Sequence, residues 1–185
     1  MRLPRKIAGL LLAAATIAGV TAAAAPARAD NATHLFFNTA TQDANGVWRF
    51  GNLCLEADPG PDFAYRVAIQ PCNVSNNPAQ RWQAIAVSNG VYKFVNEAVR
   101  WCLYTDTRFD GSPIALWDCS ANISNTRWAW GGTLGLQTLE SRISGTSGHC
   151  LDIPAGQFIP GHWTQLWGCN GTAAQKFIIA QVLLP

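Results

Sequence analysis

The main signal for the fold is a stretch that begins Cys150-Leu151-Asp152-Ile153 and ends Gln165-Leu166-Trp167-Gly168-Cys169. Its first cysteine recurs, evenly spaced, at Cys54 and Cys102, and leucine follows the cysteine in every copy. The second cysteines of the copies are Cys72, Cys119 and Cys169, and downstream of them stand the aromatic residues Trp82, Trp128 and Phe177. Repetition at a fixed period predicts three structural modules in one chain.

A second match lies upstream of the cysteines. The segment 45–50, Asn-Gly-Val-Trp-Arg-Phe, resembles the segment 89–94, Asn-Gly-Val-Tyr-Lys-Phe. Asn-Gly is a turn signal, so each module is expected to begin with an Asn-Gly or Gly-rich turn. The modules are therefore predicted at about residues 45–88, 89–131 and 132–185, preceded by an N-terminal segment over residues 30–44.

Short strands are the predicted secondary structure. Residues 91–95, 114–117 and 176–179 are rich in β-branched and aromatic side chains, and turn-forming clusters such as 58–61 and 110–113 separate such runs. After Ala29, no long window keeps the period of an amphipathic helix. The sequence predicts an all-β chain, and three copies favour a closed, pseudo-symmetric object over a longer solenoid.

The stretch from Met1 to Ala29 has the features of a secretory signal peptide. Arg2, Arg5 and Lys6 precede an uncharged run from Ile7 to Ala27, and small residues surround the predicted cleavage after Ala29. A retained membrane anchor is the alternative, but alanine and glycine drive insertion less than Leu, Ile, Phe and Val. We therefore expect a secreted protein with no membrane association after cleavage. The leader contains four of the 13 Lys and Arg and none of the 11 acids, so the mature charge is about −2, which does not favour nucleic acid.

All six cysteines follow the leader, and export would place them where disulfides persist. Six cysteines allow fifteen pairings, but the nearly equal spacing within each pair of neighbours along the chain favours three local loops. Each such bridge contributes about 3 kcal/mol by the chain-entropy estimate. A zinc site is the alternative for the cysteines, and neither a C-x-x-C pair nor paired histidines support it. No metal or cofactor is expected.

The ordered elements of each copy resemble the C-L-D, Q-L-W-x-C-N-G and Q-x-W elements of ricin B-chain type lectins, over about residues 45–180. The third module carries them at Cys150, Gln165 to Gly171, and Gln175 to Phe177. The resemblance implies a β-trefoil: twelve strands, six in a barrel and six in three capping hairpins, with one potential sugar pocket per module. It also implies that Trp82, Trp128 and Phe177 are core residues.

The sugar-site residues follow from the same resemblance. A pyranose presents an apolar C–H face, which suits an aromatic platform, and hydroxyls that suit a carboxylate and amides. The positions that correspond to those of the family are Asp152, Gln165, Trp167, Asn170 and Gln175 in the third module, with Trp117 and Asn125 in the second.

Each module departs from the family pattern. In the third, Ala174 stands where the family has Asn, and Asn170, His162 and Trp163 are the candidates to replace that amide. The second has Tyr104 in place of the Asp and Ala115 in place of the Gln. The first has Glu56, Ala68, Gln70 and Ala79 at the four positions, so its platform is missing. The third module is therefore the expected sugar site, ahead of the second and the first.

The predicted function is a secreted lectin that binds galactose- or xylose-like units of a glycan or polysaccharide, mainly with its third module. The alternative is a protein-interaction scaffold, such as an inhibitor or toxin-subunit-like protein, whose pockets no longer bind sugar and whose partner is a protein. Catalysis is not expected, because His34, His149 and His162 belong to no recognisable hydrolase or zinc motif.

Overall fold

Thirteen antiparallel β-strands and four short 3-10 turns make up the residues that the computed structural model describes, which are 34–59, 65–130, 133–145 and 148–182. The predicted signal peptide lies outside these residues. The strands are β1 (His34–Gln42), β2 (Trp48–Asp58), β3 (Arg66–Pro71), β4 (Trp82–Ser88), β5 (Val91–Asn96), β6 (Cys102–Thr105), β7 (Ser112–Trp117), β8 (Trp128–Ala129), β9 (Gly135–Gln137), β10 (Glu140–Ser141), β11 (His149–Asp152), β12 (Gln165–Gly168) and β13 (Phe177–Gln181). The 3-10 turns are Pro78–Gln80, Ser124–Thr126, Pro154–Gly156 and Ala173–Gln175. Across the described part of the chain, no helix is both long and apolar enough to cross a membrane.

The strands fall into three groups of four along the chain. The first group is β1 to β4, the second is β5 to β8, and the third is β9 to β13, in which β9 and β10 flank residues 138–139 and together take the place of one strand. The division of that strand accounts for thirteen strands where the resemblance implied twelve. The all-β, threefold prediction is confirmed.

The modules close into a ring through three equivalent backbone contacts. Each contact pairs the residue six positions before the second cysteine of one module with the residue four positions before the second cysteine of the next. The three pairs are Arg66 with Ala115, Pro113 with Gln165, and Trp163 with Ala68. Because the third pair returns to the first module, the β3, β7 and β12 regions enclose a pseudo-threefold axis.

The core lies inside this ring. Trp82, Trp128 and Phe177 are fully buried, as predicted, and pack with the other inward side chains of the strands. The indole N–H of Trp82 donates to the Leu55 carbonyl at 3.2 Å, and that of Trp128 donates to Leu103 at 3.0 Å. Each acceptor is the leucine that follows the first cysteine of its module. The repeated Cys-Leu and aromatic positions are therefore joined within one core, and the buried indole donors are satisfied.

Three disulfides connect neighbouring cysteines, as the spacing predicted: Cys54 to Cys72, Cys102 to Cys119, and Cys150 to Cys169. The Cα atoms of the three pairs lie 5.0, 5.0 and 5.1 Å apart, within the usual range for a disulfide. Each bridge links a strand to the segment that follows the strand paired with it in the same module, so no bridge crosses between modules.

The match between residues 45–50 and 89–94 is not a structural repeat. Gly46 lies in the turn between β1 and β2, whereas Gly90 lies in the turn between β4 and β5. Phe50 is 57% exposed, while Phe94 is fully buried. The start predicted for the domain at residue 45 is accordingly wrong, because β1 begins at His34 and pairs with β2, β4 and β13. The predicted module starts at 89 and 132 fall just before β5 and β9.

Candidate functional site

A depression of about 720 Å³ lies on the third module, beside the ends of β11 and β12. Asp152 is the last residue of β11 and Gln165 the first of β12, and the two stand directly opposite each other in the strand pairing. The residues that line the depression include Asp152, Gln165, Trp167, Asn170, Phe158 and Ala174. The structure thus brings four of the predicted third-module residues together.

The carboxylate of Asp152 is the charged hydrogen-bond acceptor in the lining of this depression, and 4% of the surface of the residue is exposed. The side-chain amide of Gln165 donates to its Oδ1 at 2.8 Å and fixes the orientation of the carboxylate. Burial raises the pKa of Asp152, an effect that hydrogen bonds from Gln165 and Gln175 partly oppose. A desolvated carboxylate with a fixed orientation suits the acceptance of hydrogen bonds from sugar hydroxyls.

Trp167 supplies an aromatic surface on the same face as Gln165, because residues two apart on a strand point the same way. Its side chain lines the depression and remains 41% exposed. Phe158 and Ile153 add apolar surface to the lining. An exposed indole next to a buried carboxylate can stack on the C–H face of a pyranose while the hydroxyls reach Asp152.

Asn170 lies in the turn that follows the last cysteine. Its Oδ1 accepts from the backbone N–H of Thr172 at 3.0 Å and from the Thr172 hydroxyl at 2.7 Å. Its side-chain NH₂ group has no protein acceptor within the described part of the chain. Because Asn170 lines the depression, that NH₂ group is a donor available to a ligand.

Gln175 does not line the depression, contrary to the predicted sugar contact. It is fully buried, and its Oε1 accepts from the backbone N–H of Asn170 at 2.8 Å while its Nε2 donates to the Gly168 carbonyl at 2.9 Å. Gln80 of the first module makes the matching bonds to Asn73 and Pro71. The glutamine of this motif is therefore a positioning residue that fixes the turn after the cysteine.

His162 and Trp163 do not replace the missing amide of the third module. The closure of the ring carries this segment onto the first module, where the His162 carbonyl accepts from the Ile69 N–H at 3.0 Å. The indole N–H of Trp163 donates to Asp58 at 3.2 Å, and the Arg66 guanidinium lies 4.1 Å from the centre of the Trp163 ring. The expectation that either side chain joins the third-module pocket is wrong.

The second module keeps an aromatic platform but loses the carboxylate beside it. Trp117 is 51% exposed, and the Tyr104 ring stacks against it with centroids 5.5 Å apart. The Tyr104 hydroxyl donates to Asp106 at 3.0 Å, and burial together with this bond raises the pKa of Tyr104. The Asn125 NH₂ group donates to the carbonyls of Thr105 and Asp106, both at 3.0 Å. The Asn125 NH₂ group is therefore engaged with the loop backbone and is not available for the predicted contact with a sugar.

The first module holds a carboxylate without a platform of its own. Oε2 of Glu56 accepts from Asn77 at 2.9 Å and from Gln80 at 2.7 Å. Gln70 occupies the position of Trp167 and offers no aromatic face. Trp163 lies across Ala68 on this side, a contact between modules that no local sequence signal indicates.

Metal binding has no structural support within the described ranges. In residues 34–59, 65–130, 133–145 and 148–182, no group of three or more His, Cys, Asp or Glu side chains is placed to hold a metal ion.

The family model of the ricin-type β-trefoil lectin domain matches residues 46–142, slightly more than half of the chain. The protein therefore belongs to the ricin-type β-trefoil lectin family. This agrees with the all-β fold of three modules described above.

Among curated proteins, serine protease 1 of Rarobacter faecitabidus is 34% identical over 50 residues, which is 27% of this chain and 10% of that protein. The chain thus matches about a tenth of the length of this relative.

Two solved structures show the same fold. The designed threefold-symmetric protein ThreeFoil has a TM-score of 0.62 and 17% identity, with 80% of this chain and 99% of that chain covered. The ricin B-like lectin of Macrolepiota procera, solved with lactose, has a TM-score of 0.56 and 15% identity, with 78% and 93% covered. At these identities the likeness establishes the fold alone.

Proposed function

We propose that the protein is a secreted lectin that binds a galactose- or xylose-like unit of a glycan or polysaccharide in the depression of the third module. The observation that carries the proposal is the pairing of a buried carboxylate, Asp152, with an exposed indole, Trp167, in one depression. Those two groups match the two kinds of surface that a pyranose presents.

The recognition step is the acceptance of sugar hydroxyls by Asp152. Gln165 orients the carboxylate through the bond to Oδ1, and the NH₂ group of Asn170 donates to a further hydroxyl. The ring C–H groups of the sugar stack on Trp167. Because Ala174 supplies no amide at the edge of the depression, the number of direct hydrogen bonds is small.

The aromatic platform of Trp167 favours a particular class of sugar. In galactose the axial O4 leaves the hydrogens of C3, C4 and C5 on one side as a continuous apolar patch, and such a patch suits a single indole. Xylose has no substituent at C5 and can approach the same ring without a steric clash. The lactose bound by the Macrolepiota procera lectin, a relative in fold, supports a galactose-containing ligand.

Because one module has both the carboxylate and the aromatic platform, a single protein molecule is expected to bind sugar weakly. The second module has an aromatic ring where Asp152 stands in the third, and the first has no aromatic residue at the position of Trp167. One shallow sugar site corresponds to a dissociation constant of about 1 mM, or about −4 kcal/mol. Tighter binding to a polysaccharide would require several linked sites.

The proposal includes export and the absence of catalysis. The basic start, apolar run and Ala27-Arg28-Ala29 ending of the leader support export, and sequencing the N-terminus of the protein recovered from the culture medium should begin at Asp30. Membership of a lectin family supports a non-catalytic role, as does the single acidic residue, Asp152, among the described residues that line the depression. Glycosidases use two carboxylates across the bond that they cleave.

A glycan array followed by NMR titration tests the proposal. Wild type should bind galactose- or xylose-containing glycans, and Asp152→Ala should lose that binding while keeping its fold. Asp118→Asn, an exposed carboxylate of the second module, is the matched control and should bind like wild type. If wild type gives no signal on any galactose- or xylose-containing glycan, the lectin proposal fails and the protein-interaction scaffold takes its place.

A further inference from the structure

Another depression, of about 490 Å³, lies where the turn that follows the first module meets the second and third modules. It is lined by residues 88–91 of the β4–β5 turn, Ser124, Arg127, Arg142 and Gly145. It shares no lining residue with the depression at Asp152. Two of the described lining residues are cations and none is acidic, in a chain whose charge without the leader is about −2.

Arg127 carries a positive charge that the described part of the chain leaves largely unsatisfied. Its Nη2 donates to the Asn122 side chain at 2.7 Å, which is a neutral acceptor. Its Nε is buried and has no hydrogen-bond partner, and none of the ion pairs between described residues includes Arg127. The Nε atom is buried, whereas the Nη2 end of the guanidinium is exposed, so a ligand in the depression can reach the Nη groups.

Arg142 brings a second guanidinium to the same depression. Its backbone N–H donates to the Arg127 carbonyl at 2.8 Å, so the two residues are held side by side. Nη1 of Arg142 contacts Glu140 at 3.3 Å, but the same Glu140 oxygen also accepts from the Gly148 N–H at 3.1 Å. Because this ion pair with Glu140 partly balances the charge of Arg142, Arg127 is the main source of positive charge in the lining.

Neutral donors complete the lining. The Ser124 hydroxyl oxygen accepts from the Ser144 N–H at 3.2 Å, and its own O–H hydrogen has no acceptor among the residues that the structure describes. Gly145, with φ of +99°, has open space where a Cβ would stand, so the backbone can be approached closely there. Two planar guanidiniums and a free hydroxyl are the donor set that suits a carboxylate or sulfate oxyanion.

We propose that this depression binds the oxyanion of an acidic glycan, either a sulfate ester or a uronate carboxylate, and that Arg127 is its principal donor. The site is separate from the sugar site at Asp152, so acidic and neutral parts of one polysaccharide can be bound at different places. The assignment to a glycan rests on the proposed lectin function, whereas the oxyanion site itself is tested separately with inorganic sulfate.

Inorganic sulfate is the first probe. The Nε–Hε resonances of uniformly ¹⁵N-labelled protein are followed while sodium sulfate replaces sodium chloride at constant ionic strength. We expect a saturable shift of the Arg127 resonance, and a loss of affinity of about tenfold or more in Arg127→Gln. Arg127→Lys keeps the charge without the planar fork, so it should also bind more weakly, and it tests the proposal if Arg127→Gln does not fold.

Arg108→Gln is the matched control, because it removes the same charge from an exposed position outside the depression and should leave sulfate affinity unchanged. Equal weakening by the Arg108 and Arg127 substitutions, or a shift that does not saturate, would show an adventitious ion only and overturn the proposal. Trp167→Ala should bind sulfate normally, which separates this site from the sugar site.

Competition then identifies the source of the oxyanion. Displacement of sulfate by galactose 6-sulfate points to a sulfate ester, and displacement by oligogalacturonate points to a carboxylate. Galactose itself should not displace sulfate. If neither acidic sugar displaces sulfate, the assignment of this site to an acidic glycan is wrong.

Discussion

The side-chain amide of Gln165 lies 2.8 Å from the carboxylate of Asp152, between opposite residues of two neighbouring strands. The same cross-strand position in the second module pairs Tyr104 with Ala115, and in the first it pairs Glu56 with Ala68. An alanine cannot orient the group across from it. The three modules therefore share one backbone arrangement, and only the third combines an oriented carboxylate with an aromatic platform of its own.

Replacement of Asp152 by asparagine should abolish sugar binding without loss of the fold. The asparagine Oδ1 can still accept from Gln165, but charge-assisted bonds to the sugar are lost. Bonds of this kind contribute about 1.5 to 3 kcal/mol, so affinity should fall about tenfold to a hundredfold or more. Titration of lactose or xylose followed by NMR measures the change. Unaltered affinity in Asp152→Asn would mean that the sugar is bound elsewhere.

The two exposed tryptophans of the repeated position make a matched pair. Trp167→Ala removes the platform next to Asp152, so sugar affinity should fall about tenfold or more. Trp117→Ala removes the equivalent indole of the second module, which stacks on Tyr104 without a carboxylate at the equivalent position, and it should change affinity less than twofold, or by less than about 0.4 kcal/mol. Isothermal titration of both variants decides the point, and equal losses would assign a sugar site to the second module as well.

Sugar binding should weaken on acidification at a higher pH than an ordinary aspartate would cause. Burial raises the pKa of Asp152, and the protonated carboxyl offers a weaker acceptor to the hydroxyls. Affinity should therefore fall as the pH decreases through the raised pKa, which lies above the ordinary value of about 3.9. The NMR titration repeated in steps between neutral and acidic pH gives the midpoint. A midpoint at or below the ordinary value would contradict the role of a buried Asp152.

The raised pKa of Asp152 also means that its ionisation lowers the stability of the folded state. Because the folded state holds the proton of Asp152 more tightly than the unfolded chain does, this group disfavours the folded state once the pH rises through its raised pKa. At neutral pH, Asp152→Asn should therefore be at least as stable as wild type in urea unfolding. A clear loss of stability in this variant would show that the ionised carboxylate stabilises the fold.

Gln175 should contribute more to the stability of the fold than to sugar binding. Its buried amide holds the backbone N–H of Asn170 and the Gly168 carbonyl, so Gln175→Ala leaves both groups without this partner. We expect a loss of about 1 to 3 kcal/mol in the free energy of unfolding. Gln80→Ala removes the equivalent bonds from the first module and should cost a similar amount, with sugar affinity unchanged. Urea unfolding of both variants measures the costs, and a neutral Gln175→Ala would contradict the positioning role.

The contact between Trp163 and Asp58 should contribute to stability and not to sugar binding. The indole N–H of Trp163 bonds Asp58 across the closure of the ring, although the two side chains lie far apart along the chain. A double-mutant cycle of Trp163→Phe and Asp58→Asn should give a coupling of about 0.5 to 1.5 kcal/mol in unfolding. Affinity for lactose or xylose should be the same in all four proteins. A loss of sugar affinity in Trp163→Phe would show that Trp163 contributes to sugar binding.

The threefold architecture could be predicted from the amino-acid sequence, because the features that define it repeat within each module. Cysteine pairs of nearly equal spacing, the leucine after each first cysteine and a downstream aromatic place the same side chains in the core three times. The match between residues 45–50 and 89–94 gave a wrong prediction of where the domain begins. Similar hexapeptides can form turns between different pairs of strands, here β1–β2 and β4–β5. Local similarity does not record which face of a strand is buried: Phe50 is exposed and Phe94 is in the core.

The surroundings of each pocket could not be predicted from the sequence, because they depend on how the modules pack together. The sequence grouped Trp163 and Gln175 with the third-module sugar site, since they lie near its motifs along the chain. Closure of the ring instead carries Trp163 to the first module, and burial turns Gln175 toward the backbone. The pairing of Arg127 with Arg142 likewise depends on strands that meet only when the modules assemble. Repeated burial is a property of each module, whereas the neighbours of a surface side chain depend on how the three modules close.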